Sequence, residues 1–470
     1  MLSFQFSWKN RLLLAVALIW LGAIFWGMLQ RPFWLDELLH IQVSRLSWSE
    51  VVPAATRNVG ATPVTYIPQF LLANFVASPE VSGRLPAFLA FLLTLWLLQR
   101  SLRSHGALVA GAACAFLAVM PLAVRYAIEA RPYSVLLLVT VCLCRLCERL
   151  VERPRRRDAI AYGLLTLIGT YTLPILIVVP LWHAAYLALN AFTIPRSSLW
   201  SVRTLTAPLS ILLAAVCLMP WYTYAARGWE QAIDGMHITS TISPGTALMF
   251  LREITGGGYA GLLAVLPLAV LGTTDTSTRL QERLLWLSGI VLMALAVLVI
   301  DLTFGYMFAI RQCVAILIPI CVLCGLGFRR LWNFKPRLGK IYLAASLSLL
   351  TFLAAKWMLH SDEDWQKAAQ VALELNEGRG CIVASPLDTT PLFSIANPRV
   401  SGTLCDKAVP WLNYPQVLVI DTGYGFGAEA SEGERVMEHG FQRKAERSVG
   451  RMVLSVYAAV PVGSAIAARP

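Results

Sequence analysis

Charge is scarce in this chain. Asp, Glu, Lys and Arg supply 14% of its 470 residues, against about 25% in an ordinary soluble protein. Acidic groups are the rarer kind, 27 against 39 basic ones. So few polar groups argue against a soluble globular chain. Internal repeats and low-complexity tracts are also missing, which argues against a solenoid or a disordered linker. No Gly-rich loop is followed by Lys-Ser/Thr, so no nucleotide cradle is legible. "GGG" at Gly256–Gly258 has no strand before it and reads as a flexible entry to an apolar run. Histidine is limited to six residues, and none has convincing metal-ligand spacing.

Apolar sequence is abundant. Hydrophobic residues make up 57% of the chain, mean hydropathy is +0.63, and apolar runs of roughly 17–25 residues recur, the length that crosses a bilayer. The fold class this predicts is a polytopic α-helical membrane protein with about eleven spans. They lie near 12–30, 84–99, 106–122, 132–150, 159–173, 175–192, 205–224, 258–272, 284–300, 311–328 and 341–358. "TYTLP" at Thr170–Pro174 divides the fifth from the sixth, because proline interrupts the helical ladder. The first run lacks an A-x-A-like cleavage site and reads as a retained anchor.

The formal charge of +12 would suit nucleic acid, but the basic residues cluster in short loops between apolar runs, so no nucleic-acid partner is expected. Arg145, Arg149, Arg153, Arg155, Arg156 and Arg157 form the densest group. An N-terminus in the cytoplasm puts most Lys and Arg inside, as the positive-inside rule requires, and puts the C-terminal region outside. Residues 1–358 read as the membrane domain. Its long first outer loop, 31–83, carries "DELLHIQVSRLSWSEVV" and "VTYIPQFLLANFVA", helix-patterned segments placed in the interface. Residues 359–470 read as a small α/β domain on the outer, periplasmic side. There "HSDEDWQKAAQVALELNEGRG" is a helix closed by glycine, "CIVAS", "QVLVI" and "RMVLSVYAAV" are strands, and "SEGERVMEHGF" suits a helix.

Of ten cysteines, eight lie in or beside spans, where Cys behaves as a small apolar residue. Cys381 and Cys405 fall in the outer domain. An oxidising compartment makes a disulfide between them plausible; two buried free thiols are the alternative.

Polar residues gather at the outer membrane boundary: Asp36, Glu37, Arg84, Arg125, Glu129, Arg131, Tyr133 and Arg311. Charges at that depth are costly unless paired or facing a wet cavity, so one polar pocket is expected. Arg125 and Glu129 are four apart and would pair on a helix, which is also a purely structural use for them. The structural alternative for Asp36 is a helix N-cap or an interfacial pair, with Glu37 suited to the first turn. Arginine forks match phosphate oxygens, and a carboxylate can take a proton from an acceptor hydroxyl.

With "WLDELLH", "GRLPAFLAFLLTLWLLQRSL", "RYAIEARPYSVLLL", "FAIRQCVAILIPICVLCGLG" and "EDWQKAAQVALELN" in order along most of its length, the chain resembles the glycosyltransferase-C superfamily. The likeness is to bacterial relatives of protein O-mannosyltransferases and of the lipid A aminoarabinose transferase. The resemblance implies a GT-C-type fold and inverting transfer of a sugar from a polyprenyl-phosphate carrier to a lipid, glycan or protein acceptor, at the outer face of the inner membrane. It implies Asp36 as general base and Glu37 as its neighbour. Arg125, Glu129, Arg131 and Tyr133 would shape the donor site, with Arg311 and Arg84 on the phosphate. Family members often carry "HPP" where this chain has "ATPVTY" (Ala61–Tyr66), and "THY" where it has "TYT" (Thr170–Thr172). No cofactor is expected, and a divalent metal is unsupported by these residues. The rival reading is a transporter or flippase of a lipid-linked sugar, which calls for repeats and midplane charges.

Overall fold

The computed structural model describes residues 8–56, 61–191, 202–236, 244–304, 310–361, 363–385, 389–405, 413–423 and 432–459. Among the described residues sixteen α-helices precede the C-terminal region: α1 (Trp8–Gln30), α2 (Leu35–Ser44), α3 (Trp48–Ala55), α4 (Ile67–Ala73), α5 (Pro79–Ser101), α6 (Ala107–Val119), α7 (Pro121–Ala127), α8 (Tyr133–Glu152), α9 (Arg156–Thr172), α10 (Val178–Ala191), α11 (Val202–Met236), α12 (Pro244–Glu253), α13 (Gly258–Thr273), α14 (Leu280–Phe304), α15 (Leu317–Phe334) and α16 (Pro336–Leu359). Then come α17 (Trp365–Asn376), β1 (Cys381–Ser385), α18 (Leu392–Ala396), β2 (Gln416–Asp421), α19 (Glu432–Glu438), β3 (Phe441–Val449) and β4 (Met452–Ala459).

The chain forms two compact units. One comprises Met1–Leu29, Leu46–Ala232 and Ile238–Leu359; the other comprises Gln30–Arg45, Ile233–His237 and His360–Pro470.

The first unit is the helical membrane body of a multi-pass protein. Five of its described segments are long and apolar enough to cross a bilayer: Pro79–His105, Thr204–Gly228, Leu280–Ile300, Ile310–Phe334 and Pro336–Leu359. Over the described residues of both units the number rises to seven if Leu14–Gln30 with Leu35–Ser44, and Ala107–Val119 with Pro121–Ala127, each count as one broken span. The sequence reading places about eleven. The difference lies in helices that are short or charged: α10 and α13 have 14 and 16 residues, and α8 carries Arg145, Glu148, Arg149 and Glu152.

α15 is the centre of this unit. Every residue from Leu317 to Phe328 is buried, as expected of a helix that is apolar on all sides. It packs against α6, α13, α14 and α16. Its two glycines permit the closest approaches: a Cβ on Gly327 would stand 1.9 Å from the Leu268 carbonyl of α13, and one on Gly325 would stand 2.6 Å from the Val109 carbonyl of α6. α10 and α14 meet through Trp182, which is seated over Gly289. The Trp182 indole N–H reaches both the Leu285 carbonyl and the Ser288 hydroxyl at 3.1 Å.

Outside the spans, polar side chains close the helix ends. Ser47 and Glu50 form a capping box at α3. Hydrogen bonds from the Ser47 hydroxyl and N–H hold the Glu50 carboxyl below the usual carboxylate range. Asp275, in the turn after α13, binds Arg329 of α15, which also donates to the His105 carbonyl at 2.7 Å. Burial pushes the Asp275 carboxyl up, but hydrogen bonds from Arg329 and Ser277 and the Arg329 charge outweigh it and leave it below its ordinary value. "GGG" is not a flexible entry. The Gly256 carbonyl accepts from Trp357 at 2.8 Å, the Leu122 N–H donates to the Thr255 carbonyl at 3.0 Å, and Gly256 takes φ +72° with the Leu122 backbone 2.5 Å from where a Cβ would lie. Glycine serves close approach here, not freedom.

Among the described residues of the second unit, four strands run in the order β1-β2-β4-β3. β1 and β2 are parallel; β2–β4 and β4–β3 are antiparallel. α17 and α19 pack on the sheet. β3 is a charged edge strand, exposed from Gln442 to Ser448, a composition that discourages edge-to-edge pairing. Cys381 of β1 and Cys405 are joined by a disulfide with 4.9 Å between their Cα atoms. Cys405 N–H also donates to the Ile382 carbonyl at 2.9 Å. The bridge closes a sequence separation of 24, a loop whose release frees enough denatured-state entropy to lower stability by about 3 kcal/mol. Limited proteolysis of the full chain in rising urea is expected to cleave beyond His360 at a lower midpoint after replacement of both cysteines by serine. An unshifted midpoint contradicts this.

Candidate active site

The sequence-predicted residues fall into both units. In the second unit, α2 carries Asp36 and Glu37 in its first turn, where carboxylates complement the positive end of the helix dipole. Neither is the N-cap. That position is Trp34, in extended conformation and with no side-chain cap bond. Glu37 is wholly buried and Asp36 half-buried. The two carboxylates therefore point into different surroundings, as about 100° per residue around a helix requires. Leu35, Leu38, Ile41 and Ser44 line the buried face of α2, which packs on α18.

In the first unit, "RYAIEARPY" builds one cluster. α6 ends at Val119, and α7, which opens at Pro121, leaves at 66° to it. α7 stops at Ala127, so Glu129 lies in the turn that follows and not on a continuous helix with Arg125. The pair forms nonetheless, with Arg125 Nε donating to Glu129 Oε1 at 2.7 Å. The Glu129 side chain is fully buried, while that of Arg125 is 20% exposed. The charge of Arg125 is thus matched by a buried carboxylate. The guanidinium face lies 4.4 Å over the Trp357 ring, a cation–π contact of roughly 0.5–2 kcal/mol. Trp357 is in turn fixed by its bond to Gly256. The Gly256 turn, Trp357 and Glu129 together orient Arg125.

Pro132 caps α8, and Tyr133 opens the helix. The Ser134 hydroxyl donates to the Tyr126 carbonyl at 2.8 Å, and the Tyr126 and Tyr133 rings are 4.6 Å apart. Arg131 reaches the Tyr133 hydroxyl at 3.4 Å. Arg125, Glu129, Tyr133 and Arg311 all lie within electrostatic reach of Tyr126, which ties Arg311 to this group. Arg311 sits on a 3-10 turn, Ile310–Ile316, ahead of α15. Arg84 has a different setting. It is fully buried in α5 and donates to the Met28 carbonyl of α1 at 2.8 Å, tying those two helices together.

The Ala61–Tyr66 and Thr170–Thr172 stretches meet. The hydroxyls of Thr62 and Thr65 donate to the carbonyls of Tyr171 and Thr172, the latter at 2.6 Å. They satisfy carbonyls left open where α9 ends before Pro174. The Trp221 indole holds the same loop through the Ala61 carbonyl at 3.0 Å. Hydroxyl–carbonyl bonds thus do the local anchoring. Among the described residues no group of three or more His, Cys, Asp and Glu is arranged to hold a metal ion.

Sequence reasoning missed Trp357, Glu363 and Arg451. Trp357 lies near the end of an apolar run and carries no distinguishing pattern. Glu363 and Arg451 have meaning only through the contacts they make in the folded second unit.

No family model matches the chain, and no curated protein matches its sequence. Solved structures do. ArnT from Cupriavidus metallidurans in the apo state aligns with a TM-score of 0.61 at 12% identity, over 96% of this chain and 98% of that one. The same protein bound to undecaprenyl phosphate aligns with a TM-score of 0.60 at 14% identity, over 95% and 97%. Likeness across nearly the whole of both chains shows a shared fold, the one to which the sequence motifs point.

Proposed function

We propose that this chain is an integral membrane glycosyltransferase of the GT-C type, with about eleven spans, an N-terminus in the cytoplasm and the C-terminal unit outside the inner membrane. Its donor is a sugar on a polyprenyl phosphate. The observation that carries this reading is the whole-length fold likeness to ArnT, one of whose structures holds undecaprenyl phosphate. The cluster around Arg125 supports it.

An acceptor hydroxyl attacks the anomeric carbon, the bond from that carbon to the phosphate oxygen breaks, and polyprenyl phosphate leaves with the electron pair. A single displacement inverts the anomeric configuration. Asp36 receives the hydroxyl proton. Arg125, Arg131 and Arg311 hold the phosphate as its charge develops; preorganised donors of this kind supply the largest share of stabilisation in such reactions. Arg125 suits that work because Glu129 and Trp357 fix it from two sides. Arg84, committed to the Met28 carbonyl, fits a supporting place better than a direct phosphate contact.

The test uses purified protein in detergent micelles, where there is no second compartment. Incubation with an undecaprenyl-phosphate sugar and an acceptor extract should release undecaprenyl phosphate and add one sugar mass to an acceptor fraction. A flippase gives neither product in micelles. Absence of both across a panel of pentose and hexose donors would count against the enzyme.

A further inference from the structure

The helix that carries Asp36 lacks a cap of its own. Trp34 at the N-cap offers no side-chain acceptor. Of the first-turn donors, the Glu37 N–H turns back to the Trp34 carbonyl at 3.1 Å, and the Leu35 N–H goes to Glu363 Oε2 at 3.0 Å, across 328 residues of sequence. A helix N-terminus concentrates positive partial charge on its open N–H groups, and a carboxylate is the best-matched acceptor for them.

Glu363 is built into its place. It is 7% exposed, and three groups from separate parts of the second unit converge on its carboxylate. Leu35 N–H and Trp365 Nε1–H share Oε2, the second at 3.3 Å. Arg451, in the turn between β3 and β4, faces Oε1 at 3.4 Å and is itself held by the Gly423 carbonyl at 2.8 Å. The Ser361 hydroxyl donates to the Glu363 carbonyl at 2.6 Å and fixes the backbone beneath it. Trp365 is wholly buried, with its ring 4.7 Å from Phe393 of α18, the helix on which α2 rests. One residue therefore joins the start of α2, the start of α17 and the β3–β4 turn.

We propose that Glu363, backed by Arg451, is a positioning residue for the reaction: it supplies the missing cap of α2 and thereby sets where Asp36 presents its carboxylate. This rests on the reading of Asp36 as the base. It also gives the chain beyond His360 an indirect part in the chemistry, through the placing of Asp36. The acid–Trp pair inside "EDWQKAAQVALELN" serves a second helix besides its own.

The experiment compares Glu363→Ala, Glu363→Gln and Arg451→Leu in the full-length protein. Without the cap, the first turn of α2 loosens. A misplacement of about 1 Å is enough to lower turnover by roughly 100-fold. Glu363→Ala is expected to lower kcat by about 10- to 100-fold with KM for the undecaprenyl-phosphate sugar little changed. Glu363→Gln keeps an acceptor for the Leu35 and Trp365 N–H groups and should restore most of the rate. Arg451→Leu, which spares the capping oxygen, should give a loss between the two. Hydrogen exchange read on the same proteins should quicken at Leu35–Leu38 in Glu363→Ala and stay unchanged in β2 and β4.

Wild-type turnover in Glu363→Ala overturns the proposal, and so does an equal loss in Glu363→Gln. Exchange that rises across the whole sheet overturns it too, because that marks a merely structural role. Should Glu363→Ala not fold, Glu363→Gln and Arg451→Leu still decide, since a capping role ranks their losses and a purely ionic one makes them equal. Full activity in Asp36→Asn would instead remove the premise, while slow exchange at Leu35–Leu38 would still report whether Glu363 caps α2.

Discussion

Asp36→Asn is expected to reduce sugar transfer by about 10²- to 10⁴-fold, the range that a positioned general base contributes. The substitution keeps the shape of the side chain and removes its charge and proton affinity. Asp36 is half-buried in the first turn of α2, where losing a favourable helix-end charge costs about 0.3–1 kcal/mol. That is too little to unfold the unit, so the loss should appear in turnover and not in yield. The arginines proposed to hold the phosphate lie in the other unit and are untouched, so retention of undecaprenyl phosphate by the variant should match the wild type. Glu37→Gln is the informative companion. Glu37 is wholly buried, and its replacement should affect stability and rate together. Wild-type transfer by a folded Asp36→Asn protein would falsify the base assignment outright.

The sequence exposes elements whose reason for existing is local. The apolar runs, the break at Pro174, the amphipathic helices after the first span and three of the four strands are all readable from periodicity and from glycine and proline placement. β3 is not. "FQRKAERSV" has no alternation because seven consecutive residues face outward on an edge, and charge there serves solubility rather than pairing. The "GGG" turn misleads for a related reason. Three glycines look like freedom, but Gly256 stands against Leu122 and Trp357, neighbours far away in sequence. The site divides in the same manner. The residue types in "RYAIEARPY" advertise themselves because charges beside apolar runs are expensive, and their near neighbours in sequence are also their partners. Trp357, Glu363 and Arg451 are invisible because each acts on a residue more than 80 positions away. Composition carries no trace of such a pairing.

Gly327→Val is expected to be the most destructive single change in the helical unit. α13 and α15 approach through reciprocal glycines. A Cβ on Gly327 would stand 1.9 Å from the Leu268 carbonyl and 2.9 Å from the Gly272 nitrogen, and a Cβ on Gly272 would stand 2.1 Å from the Leu323 carbonyl. The obstacles are backbone atoms, so no rotamer change relieves them, and the two helices must separate. Inside a bilayer the loss is severe, because helices there are held by close packing and not by exclusion of water. Separation would also disturb α6, whose Val109 carbonyl presses on Gly325 of the same helix. Overpacking a dense interior typically costs about 1–3 kcal/mol, and a displacement shared by three helices belongs at or above the top of that range. Gly111→Val supplies the comparison. Gly111 lies on the exposed side of α6, and nothing stands within 4 Å of its Cβ position. Size-exclusion profiles and thermal inactivation in the same detergent should leave Gly111→Val close to wild type. Gly327→Val should aggregate or lose its folded fraction well before it. Equal stability of the two variants would mean that α13 and α15 do not depend on this contact.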